Sequence, residues 1–389
     1  MARAPADIPE AMLRLALCAG VGPAFLHEAA AAFGGWEAVA SAGTDELARV
    51  PGVGAARAAA IRGQLDAVDA DGERAAMERA GVRAVLVGDA DYPRLMEMLP
   101  RMPPILWVRG DLGALAADSV GIVGARRATA YGRAQAGRFA AAAAAEGIAV
   151  VSGGARGVDA EAHRAALRVG GPTVAVLGSG LGDPYPIEHA TLFESIVEAG
   201  GLLVSEFPTL FPPLPSNFPR RNRIISALSM AVLVVEAGTT SGALITARHA
   251  VDDHGRAPCA LPGPVDSPRS AGCNAAIRDG WVQAVLDPED LLKAVDDVAH
   301  RLAPPVPDPS EAAAIPEALR PFVARAAALL SRRPRIGDED LAATLGTDLP
   351  AARAVRTFAA VAAAGSRRRA GRARRTEVAG PGGQFQPMA

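Results

Sequence analysis

The chain has 389 residues, of which 50% are hydrophobic and 21% are charged, and this composition supplies apolar material for two or three packed domains. Its 40 basic and 42 acidic residues leave a formal net charge of -2, which excludes a uniformly basic nucleic-acid binder. Any contact with nucleic acid must therefore be local. The three cysteines, Cys18, Cys259 and Cys273, are too widely spaced for a disulfide framework or a thiolate zinc site, so neither a metal nor a cofactor is expected from them.

The first residues do not read as an export signal, because acidic residues and helical periodicity replace the basic start and apolar run of such a signal. Charges or Gly and Pro breaks interrupt every long apolar stretch, which disfavours a transmembrane helix. We therefore expect a cytoplasmic protein that does not contact a membrane.

Residues 1–78 are predicted to form a small all-helical domain of the helix-hairpin-helix type. Two Gly-hydrophobic-Gly turns, at Gly20 and Gly22 and at Gly52 and Gly54, separate its short helices. Such turns can face a DNA phosphate with their amides, or they can simply join helices tightly. Both interpretations remain open at this stage.

Residues 79–301 alternate between short apolar runs and helical stretches, which predicts an α/β fold with an extended Rossmann-like, mostly parallel sheet covered on both faces. The runs at 82–88 and 105–110 precede the regular alternation and are expected to extend one edge of the sheet. The stretch from Leu244 to Leu261 comes late in the sheet, where an edge could pair with a second copy.

The C-terminal part begins with a proline-rich linker at 302–316, which contains five prolines and is predicted to be extended. Residues 317–365 have the rhythm of a small winged-helix-like unit, although no alternating strand pattern is present to make a wing. Residues 366–389 form a basic, low-complexity tail that we expect to be disordered.

Open parallel sheets bind ligands beyond the carboxyl ends of their strands, so the turns that follow the strands are the candidate sites. Gly124 and Arg126 follow one apolar run, and Ser152, Gly153 and Arg156 follow the next. Glycine with arginine at a helix start favours an anion-binding nest, although the glycines would equally allow the strand to turn tightly.

Two later segments add candidates for nucleic-acid binding. In the segment 215–223, Arg221 lies near Phe218, a combination that suits single-stranded nucleic acid because it offers charge and a stacking ring. The alternative is a surface charge cluster with Phe218 in the core. Ser241 and Gly242 follow another apolar run and begin a helix, where free amides can hold an anion.

No catalytic residue is predicted. Glu236 is the one carboxylate near the rim and has no partner group, while Asp159 and His163 are four residues apart without a nucleophile and are better read as capping or core residues. Neither a G-x-G-x-x-G nor a G-x-x-x-x-G-K-[ST] pattern is present, which disfavours dinucleotide and ATP binding by those routes.

Over roughly residues 10 to 295, the assembled segments resemble the DNA-processing protein A family (DprA/Smf). The resemblance depends on five motifs in the family's order: GIVGARRATAYG (121–132), VSGGARGVDAEAHRAAL (151–167), VAVLGSGLGDPYP (174–186), NFPRRNRIISALSMAVLVVEAGTTSGALITA (217–247) and LPGPVDSPRSAGCNAAIRDG (261–280). One departure is His189, which stands where the family commonly has asparagine.

The resemblance implies a non-enzymatic protein that binds and protects single-stranded DNA and loads the RecA recombinase onto it during DNA uptake, natural transformation and recombination. It also implies an N-terminal helical domain similar to the sterile-alpha-motif type, a homodimer and an interaction with single-strand-binding protein. The single-stranded DNA contacts that it implies are Gly124, Arg126, Ser152, Gly153, Arg156, Phe218, Arg221 and Asn222, with Ser241 and Gly242 as further candidates. Replacing Arg126 or Arg221 with alanine is then expected to weaken binding without unfolding the protein.

An alternative is a nucleotide-processing hydrolase that resembles the cytokinin-activating phosphoribohydrolases and uses a related Rossmann core. Those enzymes carry a catalytic glutamate in a P-G-G-x-G-T-x-x-E segment. Here the corresponding turn, AGTTSGALITA at 237–247, has no carboxylate. The sequence therefore favours the DNA-binding interpretation.

Overall fold

A computed structural model describes residues 2–97, 99, 101–302, 316–332, 337–356 and 358–359. The chain divides into two compact units, Met1–Arg301 and Leu302–Ala389. Most of the proline-rich linker, at 303–315, and the whole basic tail, at 366–389, lie outside the described residues.

The first unit begins with six helices: α1 (Glu10–Leu17), α2 (Pro23–Phe33), α3 (Trp36–Ser41), α4 (Thr44–Leu47), α5 (Ala55–Ala67) and α6 (Ala70–Ala80). They enclose a core that includes Leu15, Phe25 and Ile61. The two glycine turns lie side by side, because Arg57 donates hydrogen bonds to the carbonyl oxygens of both Gly20 and Gly52, at 3.1 and 3.2 Å. The turns thus brace each other within this helical layer.

The described strands form a single sheet in the order β1-β2-β6-β5-β4-β3-β7-β8-β9. The strands are β1 (Arg83–Leu86), β2 (Ile105–Gly110), β3 (Ser119–Val123), β4 (Ala149–Ser152), β5 (Thr173–Leu177), β6 (Leu202–Ser205), β7 (Ala231–Val234), β8 (Ala257–Ala260) and β9 (Gln283–Ala284). The pairs β1-β2 and β2-β6 are antiparallel and all the others are parallel. This arrangement confirms the predicted α/β class and the predicted extension of one edge by the first two strands.

The strands are joined or followed by helices α7 (Arg94–Glu97), α8 (Ala130–Ala145), α9 (Val158–Arg168), α10 (Ala190–Glu198), α11 (Asn217–Ala227), α12 (Gly242–Asp252), α13 (Ala271–Arg278) and α14 (Pro288–Leu302). Helix α11 begins three residues before Arg220, and Pro219 is accommodated there because the first turn of a helix needs no backbone donor. Among the described residues, no helix is both long and apolar enough to cross a bilayer.

The sheet carries apolar side chains on both faces, as expected for a doubly wound fold. Val174, Val176 and Ile224 belong to the core on one face, and Ala175 and Leu177 belong to the core on the other. The second core also takes in side chains of α1 and α6, so the helical layer packs directly on the sheet.

Glu73 on α6 secures this helical layer from a buried position. Its Oε1 accepts a hydrogen bond from the Trp107 indole of β2 at 2.9 Å, and others from the backbone and hydroxyl of Thr209 at 2.8 and 2.7 Å. A buried carboxylate is stable when its oxygens are paired in this way. One side chain thereby joins α6, the sheet and the loop that leads to α11.

The connections reverse direction between β3 and β7. From β3 the chain winds outward through β4, β5 and β6, and it then returns to β7 on the other side of β3. Such a switch point opens a crevice at the carboxyl ends of the strands. The expectation that a strand within 244–261 lies at a sheet edge is wrong, because the two residues of β9 pair with Cys259 and Ala260 of β8.

The second unit contains α15 (Arg320–Arg332), α16 (Asp338–Leu345) and a further helical segment at 349–356. Val323, Leu341 and Val355 belong to its core. Within the described part of 317–365 the structure is helical and no wing strand is present.

Candidate nucleic-acid interface

The turn after β3 brings Arg126 to the carboxyl rim of the sheet. Gly124 lets this turn approach α9 closely, since a Cβ atom at Gly124 would lie 2.7 Å from Cγ2 of Val158. Arg126 is exposed, and its guanidinium lies over the ring of Phe218 at 4.9 Å from the centroid. This distance is that of a cation-π contact.

The turn after β4 is organised by buried groups. The hydroxyl of Ser152 is fully buried and donates to the carbonyl oxygen of Ile122 at 2.6 Å, so this side chain ties β4 to β3. Asp159 on α9 accepts hydrogen bonds from the amides of Gly153 and Ala155, at 3.1 and 3.4 Å. The carboxylate of Asp159 therefore occupies two amides of the predicted nest, and these two are not free for a phosphate.

Arg221 is only 4% exposed and supports this turn from beneath. Its Nη1 donates to the carbonyl oxygens of Gly153 and Val176. Burial lowers the pKa of Arg221 to about 10, and the nearby Asp159 carboxylate opposes this shift. Burial likewise raises the pKa of Asp159, against the effect of Arg221 and of the two amides. Each of these two opposite charges thus stabilises the charged form of the other inside the protein. The expectation that Arg221 can be replaced with alanine without unfolding the protein conflicts with this buried and paired position.

Phe218 lies in the first turn of α11, between Arg126 and the ring of Tyr185, whose centroid is 5.8 Å away at a tilt of 55°. Gly178 at the end of β5 allows the ring to approach, since a Cβ atom there would lie 3.0 Å from Cδ1 of Phe218. Phe218 is half-buried, so the ring is neither in the core nor fully exposed.

These groups surround a shallow recess at the rim. Its lining consists of Arg126, Gly153, Ala155, Arg156, Tyr185, Pro186, Phe218 and Arg221. Five of the predicted residues therefore meet at one place. Sequence reasoning missed Ala155, Tyr185 and Pro186 as individual site residues, although the segment ending in Tyr185-Pro186 is a family motif, and that motif is the signal that could have found the last two.

Arg156 reaches the rim from the turn before α9 and is exposed, where it forms an ion pair with Glu188. The hydrogen bond with Glu188 raises the pKa of Arg156, and the pKa of Glu188 is lowered first by its own backbone amide and then by this pairing. His189 holds the neighbouring backbone in place through a hydrogen bond of 2.8 Å between its Nδ1 and the carbonyl oxygen of Gly154. An asparagine amide could make the same bond as a donor, which explains why histidine is tolerated at this position.

Asn222 connects the recess to the start of α12. Its Oδ1 accepts from Nε of Arg221 at 3.3 Å, and its Nδ2 donates to the carbonyl oxygen of Gly242 at 3.1 Å. The hydroxyl of Ser241 caps α12 by accepting from the amide of Ala243 at 3.3 Å. Ser241 and Gly242 thus do not line the recess; Asn222 connects them to it.

The remaining acidic and histidine candidates, Glu236 and His163, have structural roles. Glu236 is 3% exposed and accepts from the amide and hydroxyl of Thr129, at 2.9 and 2.8 Å, which fixes the start of α8. His163 is fully buried, with its Nδ1 2.8 Å from the hydroxyl oxygen of Thr173. The described residues contain no group of three or more His, Cys, Asp or Glu side chains placed to hold a metal ion.

The fold and this rim define a doubly wound α/β protein with arginines and aromatic rings gathered at the carboxyl edge of its sheet. The model of the family called DNA recombination-mediator protein A matches residues 83–296, from β1 into α14, and the chain belongs to this family. The predicted family is thereby confirmed.

Relatives and solved structures agree with this assignment. The chain is 45% identical over 219 residues to Protein Smf of Escherichia coli (strain K12), covering 56% of this chain and 58% of that relative. It is 38% identical over 280 residues to Protein Smf of Synechocystis sp., covering 71% and 70%. The X-ray structure of DNA processing protein A (DprA) from Streptococcus pneumoniae matches with a TM-score of 0.63 and 28% identity, covering 74% of this chain and 98% of that one.

Proposed function

We propose that the recess around Phe218 binds single-stranded DNA. The observation that carries this proposal is the meeting of Arg126, Arg156 and Phe218 at the switch-point rim, together with Tyr185. A base stacks on an aromatic ring or on a guanidinium plane, and the phosphates beside it pair with arginine. Arg126 is exposed for such pairing, and Arg156 is exposed in an ion pair with Glu188 that a phosphate can replace, whereas Arg221 and Asp159 support the recess from buried positions.

The form of the recess favours a single strand over a duplex. Bases in a duplex are stacked on one another and present only their edges, so their faces cannot stack on the ring of Phe218. Helix α11 meets the recess with its N-terminal end. It does not present a long exposed face of the kind that lies in the major groove of a duplex.

We further propose a binding role without chemistry, in which the protein protects the strand, loads RecA onto it and contacts single-strand-binding protein. Asp159 and Glu236 are buried and hydrogen-bonded to backbone amides, and the exposed Glu188 is paired with Arg156, which leaves these carboxylates poorly suited to proton transfer. Release of free base from nucleoside monophosphates by the purified protein would favour the hydrolase alternative instead.

We also propose a homodimer that presents its Rossmann cores, with α12 as a contact surface. Ile245 and Val251 on this helix are 42% and 38% exposed, which leaves apolar side chains in solvent. Light scattering at micromolar concentration is expected to give twice the mass of the chain, and RecA is expected to compete for part of the same surface. A monomer would contradict the dimer.

The test of DNA binding compares a labelled thymidine oligomer with the matching duplex at two salt concentrations. The single strand is expected to bind more tightly, and its affinity should fall with salt because bound phosphates release counterions. Equal or tighter binding of the duplex at matched salt would overturn the proposal.

Two substitutions separate the roles within the recess. Arg126→Ala should reduce the salt slope by roughly 0.7, the contribution of one phosphate contact on a single strand. Phe218→Leu keeps apolar bulk but removes the stacking surface, so it should cost about 1 to 3 kcal/mol of affinity while the slope stays unchanged. Phe211→Leu, at a half-buried ring stacked on Phe207, is the matched control.

A further inference from the structure

A second depression, outside the recess, runs between α9 and α10. It is an open groove of about 540 Å³, a volume within the range of small-ligand sites. Its lining consists of Arg164, Leu167, Arg168, Glu188, Thr191, Leu192 and Ser195. None of these residues has a part in the function proposed above.

The groove combines cations, a hydroxyl and an apolar floor. Arg164 is exposed, and within the described part of the chain no ion pair engages it, whereas Arg168 pairs with Glu161 at 2.8 Å. Thr191 is also exposed, and Leu192 is buried. A free guanidinium beside a hydroxyl suits a phosphate, and the leucines suit the flat face of a sugar or base.

The groove adjoins the recess around Phe218. Arg156 lines the recess, Glu188 lines the groove, and the two side chains form the ion pair described above. The bond from His189 to the carbonyl oxygen of Gly154 holds Glu188 next to the turn that carries Arg156. An exposed salt bridge therefore lies where the two depressions adjoin, and such a pair is weak and readily exchanged.

We propose that the groove between α9 and α10 is a second nucleotide subsite for the same single strand, entered when a phosphate replaces Glu188 as the partner of Arg156. Arg164 then pairs with the next phosphate along the strand, beyond the ion pair. Glu188 competes with DNA for Arg156 and so limits affinity in the unbound protein. This inference rests on the function proposed above, since it extends the path of a strand that begins at Phe218.

The test uses the full chain and labelled oligothymidylates of two lengths, one of about two nucleotides that is confined to the recess and one of about fifteen that continues into the groove. Arg164→Gln is expected to weaken binding of the long oligomer about two- to fivefold, the range of one exposed ion pair, and to leave the short one unchanged. The salt slope for the long oligomer should fall by roughly 0.7. Arg278→Gln, at an exposed arginine on α13, is the matched control and should change neither.

A second variant acts in the opposite direction. Glu188→Gln removes the competing charge and should tighten binding of both oligomers about two- to fivefold, because Arg156 serves the recess as well as the boundary. Circular dichroism checks that each variant is folded.

The outcomes separate this inference from the proposed function. If the wild-type chain binds neither oligomer, the proposed function fails and the subsite falls with it. If wild type binds both while Arg164→Gln binds both as tightly, the subsite is overturned and the proposed function stands. An equal loss of affinity for the two oligomers would also overturn the subsite, because it would indicate a long-range electrostatic effect and not a contact within the groove.

Discussion

Arg221 and its two neighbours show how differently three arginines on one helix can be used. Arg220 is half exposed, with 50% of its side chain accessible, and it lies 3.6 Å from the buried carboxylate of Glu206, with which Arg223 pairs more closely. Arg221 is turned inward to Gly153, whose amide donates to Asp159 and whose carbonyl oxygen accepts from Arg221. A buried cation at this position supports the shape of the recess, because it holds Gly153 in the turn after β4.

Arg221→Ala is expected to destabilise the protein by about 3 to 5 kcal/mol, because it leaves Asp159 buried without its counter-charge and two carbonyl oxygens without a donor. Arg220→Ala is the matched control and should cost less than about 1 kcal/mol, since half of its side chain is exposed and Arg223 still pairs with Glu206 when Arg220 is removed. The free energy of unfolding by urea, followed by circular dichroism, measures both. Similar values for the two variants would contradict the structural role of Arg221.

His163 predicts a loss of stability in acid. Burial lowers its pKa to about 3, whereas an unfolded histidine has a pKa of about 6.5. Between these values the unfolded chain binds a proton that the folded chain excludes, so stability falls as the pH decreases. At pH 5 this one group should cost about 2 kcal/mol relative to neutral pH. His163→Asn retains an atom in place of Nδ1, and the difference between unfolding at pH 7 and pH 5 should shrink in this variant. An unchanged pH dependence would show that the histidine is not the source.

At the scale of elements, the turn between β4 and α9 determines the geometry of the site. Gly157 has a φ of 78°, and a Cβ atom there would overlap the carbonyl oxygen of Ala125 and lie 2.7 Å from that of Arg126. The amide of Val158 donates to the same carbonyl oxygen of Ala125 at 3.3 Å. The turns after β3 and β4 therefore touch at Gly157, and Arg126 depends on that contact for its position.

Gly157→Ala should thus impair both stability and DNA binding. Gly170, just after α9, also has a positive φ, of 67°, but a Cβ atom there would meet no neighbour within 4 Å. Gly170→Ala is expected to cost about 1 to 2 kcal/mol, the backbone strain alone, and to leave binding unchanged. Gly157→Ala should cost more and also weaken binding of a thymidine oligomer, because the turn that carries Arg126 must move. Urea unfolding and oligomer titration of the two variants test this, and equal behaviour would refute it.

The strands and helices of the sheet were predictable from sequence, because hydrophobic periodicity and residue composition indicate the same elements there. Apolar runs such as Val174 to Leu177 form buried strands, and glycine with arginine marks the turns that follow them. Arg221 was harder, since Arg220, Arg221 and Arg223 look alike as a charge cluster. Helical spacing does distinguish them: Asn217, Arg221, Ile224 and Ile225 share the buried face of α11. The occupation of the nest by Asp159 depends on how the turn and α9 meet in space, and local sequence does not contain that information.

For the whole molecule, the structure places the candidate site within one unit. Every residue that lines the recess and the adjoining groove belongs to Met1–Arg301. The helical N-terminal layer is part of the same unit, and it reaches the loop before α11 through the bond from Thr209 to Glu73. A change in α6 can therefore affect the recess through Thr209, even though α6 contributes no residue to its lining.

Removal of residues 303–389 should leave the affinity for a single strand within about threefold of the full chain at physiological salt, because the recess and the groove are retained entire. The basic run at 366–375 can add nonspecific phosphate contacts, and these weaken as salt screens them. The two proteins should therefore differ more at about 0.05 M salt than at about 0.15 M, and the truncated chain should have the smaller salt slope. Titration of a labelled thymidine oligomer at both concentrations measures this. Loss of most of the affinity at the higher concentration would show that the tail is the principal DNA site, and the assignment of the recess would then be wrong.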